Sequence, residues 1–508
     1  MNNSYPVRWR RPRRDWLRPG GLYPFGEPWF DPFPEVTDII VADFCPYACV
    51  HRFFHGIRRS PTLITERSLE GAGDVFHQFI AFLKSSIVNG RLSRPTLGVI
   101  RREFEDFVDR FRRRRPFRMD SRRLWNDIIR PWCERKLDEL NEMHIGSRIF
   151  FEVYASDTHV RFEHNGRSFS YPLRGRIDEL NLDDQVIIER TIVGAPHDEH
   201  PPDSDALQVW LLWKILTSIS RENYPIEMRN VDFRSFRLIV ETPFRDFEIS
   251  RNNPEFEERV LRAYSWIRDI ARDPGAIPNA FRERRCDREP NIRCNFMYHY
   301  IGCRRRLPNY PLARPIMRQR FRGWYRSLLW ELMWSRDFFE YTLLTLNIEE
   351  LERDGIIVRA RSGGNLIDTR DGMLIELELP DDVVGAVIAH ARDLGRCRIV
   401  FGTLHLGQRL EGEVLESSRE DRINVLIERR YIPIMQNSIA ILSDITLLES
   451  NPWFLIPLLQ RNLFRYEQIG RYREDRARED AFVQLVEALF GGPRNLVREA
   501  RSHEQHEE

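Results

Sequence analysis

The feature that most constrains the fold is a change in the spacing of apolar residues near position 147. From 147 to 193, apolar and polar residues alternate in four short runs, which is the period of a β-strand. These runs are SRIFFEVYA, THVRFEH, SFSYPLRGRIDEL and DQVIIERTIV. A helical pattern follows at about 205–218, then a strand pattern at FRSFRLIVETP and a helical pattern from 254 to about 271. Strands and helices in this order predict an α/β fold with an antiparallel-looking sheet.

Helical patterns precede the strands. We expect Thr37 to cap a short helix that delivers Cys45, and a second helix to begin after Glu70 and carry His77. Residues 97–143 have the spacing of two Arg-rich amphipathic helices. The first 35 residues hold seven prolines, which predicts an extended arm there instead of a helix.

The character of the chain changes after Cys303. An aromatic-rich helical stretch at 317–346 is followed, from 356 to about 434, by short strand patterns separated by Gly and Asp. This pattern is typical of a small β-barrel preceded by a helical stalk. We therefore divide the chain into five segments. They are a basic arm (1–36), an α/β domain (37–310), a stalk (311–346), a barrel (347–450) and C-terminal helices with a tail (451–508).

Length and composition limit the class of protein. With 508 residues, 42% hydrophobic and 31% charged, the chain can bury a large core. It contains no run of about 18 apolar residues and, at its start, no basic region followed by the apolar region of a leader, so we expect an intracellular protein without membrane partners. The net charge is only +1. Attraction to nucleic acid would therefore depend on local basic patches, and two are visible, at 8–18 and 110–118, although each is also typical of a solvated surface.

Arginine replaces lysine almost throughout the chain. The lysines are Lys84, Lys136 and Lys214, and none lies in a GxxxxGK[ST] motif. Since that motif needs its lysine to reach phosphate, the chain is not expected to be an ATPase by itself. The Arg/Glu-rich composition also suggests a thermophile, because charged residues in ion-pair networks are typical of such proteins.

Two acidic residues lie where they could share a metal ion. Asp178 ends one strand pattern and Glu189 lies eleven residues later in the next. A hairpin turn through 181–184 would place these strands side by side. Carboxylates held in this way bind Mg²⁺ or Mn²⁺, and a metal-bound water can then attack phosphorus. The alternative is an ordinary cross-strand pair of surface acids.

The surrounding motifs resemble the RecB-type branch of the PD-(D/E)XK nucleases. The matching elements are Gly73-x-x-x-His77, Gly175-Arg-Ile-Asp178, Glu189-x-Thr191 and Gln208. The resemblance implies a restriction-endonuclease-like core and DNA hydrolysis, in which His77, Asp178 and Glu189 hold the metal. It also implies that Gln208 supports the site. The family has lysine where this chain has Thr191, so an active nuclease and an inactivated derivative that binds nucleic acid both remain open.

The cysteines extend the resemblance. Seven cysteines in an intracellular chain indicate metal ligation or buried thiols sooner than disulfides, and Cys133 and Cys397 are the ones we expect to be unliganded. The others resemble the iron-sulfur staple of RecB-like CRISPR-associated nucleases and of the replication helicase-nuclease. By that resemblance a [4Fe-4S] cluster is held by four thiolates: Cys45, Cys286, Cys294 and Cys303. The last three are separated by seven and eight residues, wider than in the family. Cys49 is a possible substitute ligand, and a Cys₄ zinc site is the alternative.

The C-terminal half resembles the stalk and β-barrel that precede the motor of certain superfamily-one helicases, over about 324–463. The replication helicase-nuclease has the same order of nuclease, barrel and motor. The resemblance implies single-stranded DNA as the nucleic acid and a separate helicase polypeptide as a partner. A structural protein or scaffold that serves such a helicase is the competing interpretation.

Overall fold

A computed structural model gives the structure of the protein. It describes residues 31–45, 49, 62–63, 71–112, 120–192, 197–272, 292–293, 336–337, 339–353, 356–369, 372–378, 396–415, 422–428 and 445–448. The basic patch at 8–18 lies outside the described residues, as does 113–118 in the second patch. The C-terminal segment predicted after 451 lies outside them as well.

The helices and strands follow the predicted order. The helices are α1 (Val36–Phe44), α2 (Ala72–Val88), α3 (Leu97–Arg112), α4 (Ser121–Leu124), α5 (Arg130–Glu142), α6 (Asp203–Ser218), α7 (Pro254–Arg272) and α8 (Ile348–Arg353). The strands are β1 (Thr62–Leu63), β2 (Ile149–His164), β3 (Arg167–Asn181), β4 (Val186–Arg190), β5 (Arg237–Glu241), β6 (Asp246–Ile249), β7 (Ile292–Arg293), β8 (Ile357–Asp368), β9 (Gly372–Glu378), β10 (Arg396–Gly402), β11 (Leu406–Leu415), β12 (Arg422–Glu428) and β13 (Ile445–Leu448).

Within the described residues most of the predicted elements are confirmed, with differences at their ends, whereas 1–30 of the predicted arm and 311–335 of the predicted stalk lie outside them. A π-helical turn, Trp125–Ile129, joins α4 to α5, so the predicted second Arg-rich helix is continuous from 121 to 142. The prediction that Thr37 caps α1 is wrong, because the helix already begins at Val36. The amide of Glu35 instead donates to Asp38 Oδ2 at 2.8 Å.

A large, mostly antiparallel sheet organises this α/β protein. Strands β2, β3 and β4 are antiparallel neighbours, whereas β5 lies parallel to β4, and β6 pairs antiparallel with β5. A parallel pair needs a crossover connection, and α6 lies in the segment that connects β4 with β5. The α/β character expected from the alternating patterns is therefore confirmed.

The strands predicted in the C-terminal half join the same sheet. The antiparallel order β10-β13-β8-β9-β12-β11 leads to β2, and β10 also pairs with β11. The link to β2 is short, with Leu406 opposite Ala155 and Gly407 opposite Tyr154. Consequently these strands and the strands that carry Asp178 and Glu189 belong to one hydrogen-bonded sheet.

An aromatic core packs α2 against α3, α4 and α5. Phe79 makes an edge contact with Phe104 at 5.1 Å between ring centroids, and Phe76 makes one with Trp132 at 6.5 Å. All four side chains are buried. Burying large aromatic rings in this way is a major stabilising contribution, and it fixes α2, which carries His77.

A buried ion-pair cluster connects β3 with the C-terminal half. Glu340 contacts Arg174 at 2.9 Å and Arg409 at 3.2 Å, and all three side chains are buried. The Arg409 guanidinium lies 3.7 Å from the ring centroid of Tyr154. Although burial by itself raises the pKa of Glu340, the two arginines hold it below its ordinary value.

The chain divides into two compact units. The first comprises Met1–Ile40, Thr65–Ala263 and Phe339–Asn451, and the second comprises Val41–Ile64, Tyr264–Phe338 and Pro452–Glu508. The second unit includes the short antiparallel pair β1 and β7. No helix in the described ranges is both long enough and apolar enough to cross a bilayer.

Candidate functional site

The turn between β3 and β4 sets the register of the two predicted acids. Asn181 Oδ1 accepts from the amides of Asp183 and Asp184 at 3.0 Å each, which stabilises the turn predicted at 181–184. The antiparallel register places Glu179 opposite Ile188. One step further along this register sets Asp178 opposite Glu189, and both side chains are buried.

His77 reaches Asp178 from helix α2. Its Nδ1 lies 2.8 Å from Asp178 Oδ2, and the same oxygen accepts the backbone amide of Arg190 at 2.8 Å. Burial by itself lowers the pKa of His77 and raises that of Asp178. Their contact outweighs burial for both groups, raising the pKa of His77 above its ordinary value and lowering that of Asp178. The contact therefore favours the imidazolium form of His77 and the carboxylate form of Asp178.

Gln208 holds Glu189 from helix α6. Its side-chain amide donates to Glu189 Oε1, whereas Oε2 of Glu189 is buried with no hydrogen-bond partner among the described residues. Burial, followed by the charges of Asp178 and Asp205, raises the pKa of Glu189 well above its ordinary value. A carboxyl group in this state becomes more acidic when a cation binds beside it.

Three charged residues that the motifs did not assign also belong to the site. Glu152, on β2, lies directly opposite Asp178 when the β2–β3 register is continued between the pairs Phe151–Glu179 and Val153–Ile177. Its carboxylate contacts Arg176 Nη1 at 2.8 Å. Burial raises the pKa of Glu152, and Arg176 partly offsets that effect. Asp205 is the third, because its charge acts on Glu189 from the first turn of α6.

Arg190, the last residue of β4, lies in a buried ionic network. The guanidinium of Arg190 contacts Glu179 and also donates from Nε to Glu241 Oε2 at 2.7 Å. Lys84 Nζ reaches Glu179 Oε1 at 2.9 Å. Because the amide of Arg190 binds Asp178, the network that fixes the Arg190 side chain also positions one of the site's acids.

None of the chain's three lysines substitutes for the lysine that the family has at the position of Thr191. Lys84 contacts Glu179, and Lys136 contacts Asp246 at 2.9 Å. Lys214 donates to Glu257 at 2.5 Å and lies 4.8 Å from the centroid of Trp210. Lys214 lies about 240° around the helix from Gln208 at 3.6 residues per turn, so the two side chains do not share a face. Thr191 itself is buried, and its amide donates to Glu241 O at 3.0 Å.

The donor atoms of the site are of the type that a hard cation prefers, but they are not arranged as a three-ligand site in the described residues. Carboxylate oxygens are the ligands that Mg²⁺ and Mn²⁺ prefer, and Glu189 Oε2 is a buried oxygen with unsatisfied acceptor capacity. Across the described ranges, however, no three His, Cys, Asp or Glu side chains are grouped so that they could hold a metal ion. A cation bound by the Asp178 and Glu189 carboxylates would therefore complete its coordination with water.

Of the four predicted cysteine ligands, the structure describes only Cys45. Cys286, Cys294 and Cys303 lie outside the described residues. Cys45 is half-buried and Cys49 is buried, and the amide of Cys49 donates to Cys45 O at 3.1 Å. The two cysteines expected to be unliganded, Cys133 and Cys397, are buried, and burial is the main cause that raises the pKa of each thiol to about 12. These two therefore remain neutral thiols at physiological pH.

The sequence did carry signals for the residues that the motifs missed. Glu152 is a charged residue inside the largely apolar strand pattern RIFFEVYA, and strand alternation fixes the face on which its side chain lies. Arg176 lies two residues before Asp178, so alternation places both on the same face of β3. Asp205 lies three residues before Gln208 on one helix, a spacing that makes them neighbours on its surface.

Comparisons with known proteins leave the family open. No family model matches the chain, and no curated protein matches it. A crystal structure of SSO0001 is 14% identical in sequence and covers 55% of this chain and 90% of its own, with a TM-score of 0.23. At this TM-score the similarity supports no inference about fold or function.

Proposed function

We propose that the chain is a metal-dependent nuclease of the RecB-like type that hydrolyses single-stranded DNA. The observation that carries the proposal is the convergence of four residues from four separate elements. His77 contacts Asp178, and Gln208 contacts Glu189. The β3–β4 register, continued by one pair beyond Glu179 and Ile188, sets the two acids opposite each other. Residues up to 131 positions apart in sequence thereby meet in one polar cluster.

The order of elements supports a restriction-endonuclease-like core. A helix carrying His77 comes first, then the three antiparallel strands β2, β3 and β4, then α6 with Gln208, and finally β5 parallel to β4. Four of the residues implied by the resemblance lie on these elements, and His77 contacts Asp178 of the neighbouring strand while Gln208 contacts Glu189. For the C-terminal strands we propose the small β-barrel, and the pairing of β10 with both β13 and β11 supports it.

Each side chain has a distinct part in the proposed reaction. Asp178 and Glu189 would hold the cation. A bound Mg²⁺ or Mn²⁺ supplies an activated water and neutralises charge that develops on the phosphate. His77 orients Asp178 and would join the ligands once it is deprotonated, and Gln208 fixes Oε1 of Glu189, leaving Oε2 for the cation. The hydroxyl of Thr191 cannot provide the positive charge that lysine supplies in the family.

Cleavage of end-labelled single-stranded DNA tests the proposal. Wild-type protein is assayed with Mg²⁺, with Mn²⁺ and with chelator, beside Asp178→Asn and Glu189→Gln. We expect metal-dependent cutting that each variant lowers by on the order of 10²–10³-fold. Glu248→Gln is the control, because it removes an exposed carboxylate from β6. Cutting that survives both site variants would contradict the assignment of Asp178 and Glu189.

A second candidate is a derivative that has lost the chemistry and binds nucleic acid without cutting it. Thr191 and the absence, among the described residues, of a preformed three-ligand group favour this candidate. In the same assay it predicts retained DNA binding and no cleavage with either metal. Appearance of cleavage in Thr191→Lys would then show that the rest of the site is intact.

A cluster and a helicase partner complete the proposal. We propose a [4Fe-4S] cluster held by Cys45, Cys286, Cys294 and Cys303, with Cys49 as the substitute ligand and a zinc scaffold as the alternative. Anaerobically purified protein should absorb at about 400 nm and contain iron, as iron-sulfur proteins do. A colourless protein with stoichiometric zinc would support the scaffold. A separate helicase polypeptide is the proposed partner, and co-purification with it tests that proposal.

A further inference from the structure

A site made of four acids and a histidine needs a positive charge near the phosphate it is to bind. The acids are Glu152, Asp178, Glu189 and Asp205, and those that are ionised repel a DNA backbone. A cation bound between two of them offsets only part of that repulsion. Thr191 is neutral, and the three lysines lie in other ion pairs.

Arg176 is placed where this charge is needed. It lies on β3 two residues before Asp178, so both side chains project from the same face of the strand. Its positive charge acts on Glu189 as well as on Glu152. Its side chain is 64% exposed, whereas that of Glu152 is 15% exposed. The guanidinium therefore borders the acidic cluster and is accessible to a ligand from solution.

Glu152, the residue that contacts Arg176, has an unusual backbone conformation. The contact between Arg176 Nη1 and Glu152 measures 2.8 Å. Glu152 has φ of 55°, in the left-handed region that side chains other than glycine rarely adopt. Such strain costs on the order of 1 kcal/mol or more and clusters at functional sites. Here the strained residue lies in the middle of β2, and its carboxylate lies beside the acids of the site.

The chemistry of the two side chains suits a phosphate ligand. A guanidinium has five donors in a planar fork that matches phosphate oxygens, and the contact with Glu152 orients this fork. Together with the buried, unsatisfied Oε2 of Glu189, this places a phosphate-binding group beside a cation-binding one. We propose that Arg176 contacts the phosphate of bound single-stranded DNA and supplies the positive charge that Thr191 lacks, with Glu152 as its positioning residue.

This inference rests on the proposed function for its substrate, but its first test does not require cleavage. Binding of a fluorescent oligothymidine is measured with chelator present, over a series of salt concentrations, for Arg176→Gln, Arg176→Lys and Arg167→Gln. Arg167 is exposed at the start of β3, about 30 Å along the strand at about 3.3 Å per residue. It is therefore a matched control for the loss of one charge.

We expect Arg176→Gln to weaken binding about 5- to 10-fold and to reduce the slope of log affinity against log salt by about 0.7, the value for one phosphate contact on a single strand. Arg176→Lys should keep the slope, since it keeps the charge, and Glu152→Gln should weaken binding less than Arg176→Gln. Equal affinities and slopes for the glutamine variants at 176 and 167 would overturn the inference. So would failure of the wild-type protein to bind the oligonucleotide.

A second measurement separates this inference from the proposed function. If wild-type protein cuts DNA, Arg176→Gln should lower kcat by about 10²-fold, with Arg176→Lys intermediate, and an unchanged kcat would overturn the catalytic part. If wild-type protein binds DNA through Arg176 but does not cut, the nuclease proposal fails while the phosphate contact stands.

Discussion

Glu241→Gln tests the buried ionic network that supports β4. Glu241 is fully buried and accepts from Arg190 Nε at 2.7 Å. Burial alone would raise its pKa, but Arg190, Lys84 and Lys136 outweigh that effect and lower the pKa from 4.5 to about 2. Each unit of pKa corresponds to about 1.4 kcal/mol, so the carboxylate contributes on the order of 3 kcal/mol to folding at neutral pH.

The pH dependence of this contribution has a definite sign. The pKa of Glu241 is lower in the folded protein, so its contribution is fully present above about pH 4.5, where the unfolded chain is ionised. It is lost as the pH falls from there towards about 2. Glutamine cannot ionise. The difference between wild-type protein and Glu241→Gln should therefore be largest at pH 7 and fall to less than half by about pH 3.

Urea unfolding followed by circular dichroism at a series of pH values measures this difference. We expect Glu241→Gln to lower the free energy of unfolding by about 3 kcal/mol at pH 7. Glu248→Gln makes the same substitution at an exposed position on the neighbouring strand and should change it by less than about 0.5 kcal/mol. A deficit of the same size at pH 7 and pH 3 would refute the electrostatic reasoning, because a packing defect does not titrate.

Three further substitutions test packing, capping and a buried charge, each by urea unfolding. A Cβ at Gly175 would lie 2.6 Å from Leu212 Cδ2, so Gly175→Ala should cost about 1–3 kcal/mol, and Leu212→Val should recover part of it. Asp120 caps α4 by accepting two backbone amides, and Asp120→Ala should cost about 1 kcal/mol. Glu340→Gln leaves two buried arginines without their shared carboxylate and should cost about 3–5 kcal/mol. A loss below about 1 kcal/mol for Glu340→Gln would contradict the buried-charge argument.

Local patterns predicted the elements of this protein well. Alternation of apolar residues is a property of neighbouring positions, so β2, β3 and β4 could be recognised from sequence, as could the turn after Asn181. The same holds for α2 and α6, whose apolar residues recur at helical spacing. The positions of His77, Asp178, Glu189 and Gln208 on these elements followed directly. The cap of α1 was missed because Thr37 has the chemistry of a cap, whereas the helix begins one residue earlier.

Of the candidate site, only the residues that belong to motifs were predicted from the sequence. Its four motif residues came from the resemblance, and the structure brings them into contact in two pairs. The motifs assigned no role to Glu152 or to Arg176, although Arg176 lies within Gly175-Arg-Ile-Asp178, and the roles of both depend on which strand lies beside which. The engagement of Lys84 with Glu179 could not be predicted either, since the two are 95 positions apart.

The sequence by itself determined which segments form strands and helices and which face of each is polar, because these preferences arise between residues a few positions apart. Only the tertiary structure decided that β11 lies beside β2, that β5 runs parallel to β4, and that Arg176 meets Glu152 at the edge of the acidic cluster. Strand pairing and ion pairing between distant residues depend on how whole elements pack, and local periodicity contains no information about that choice.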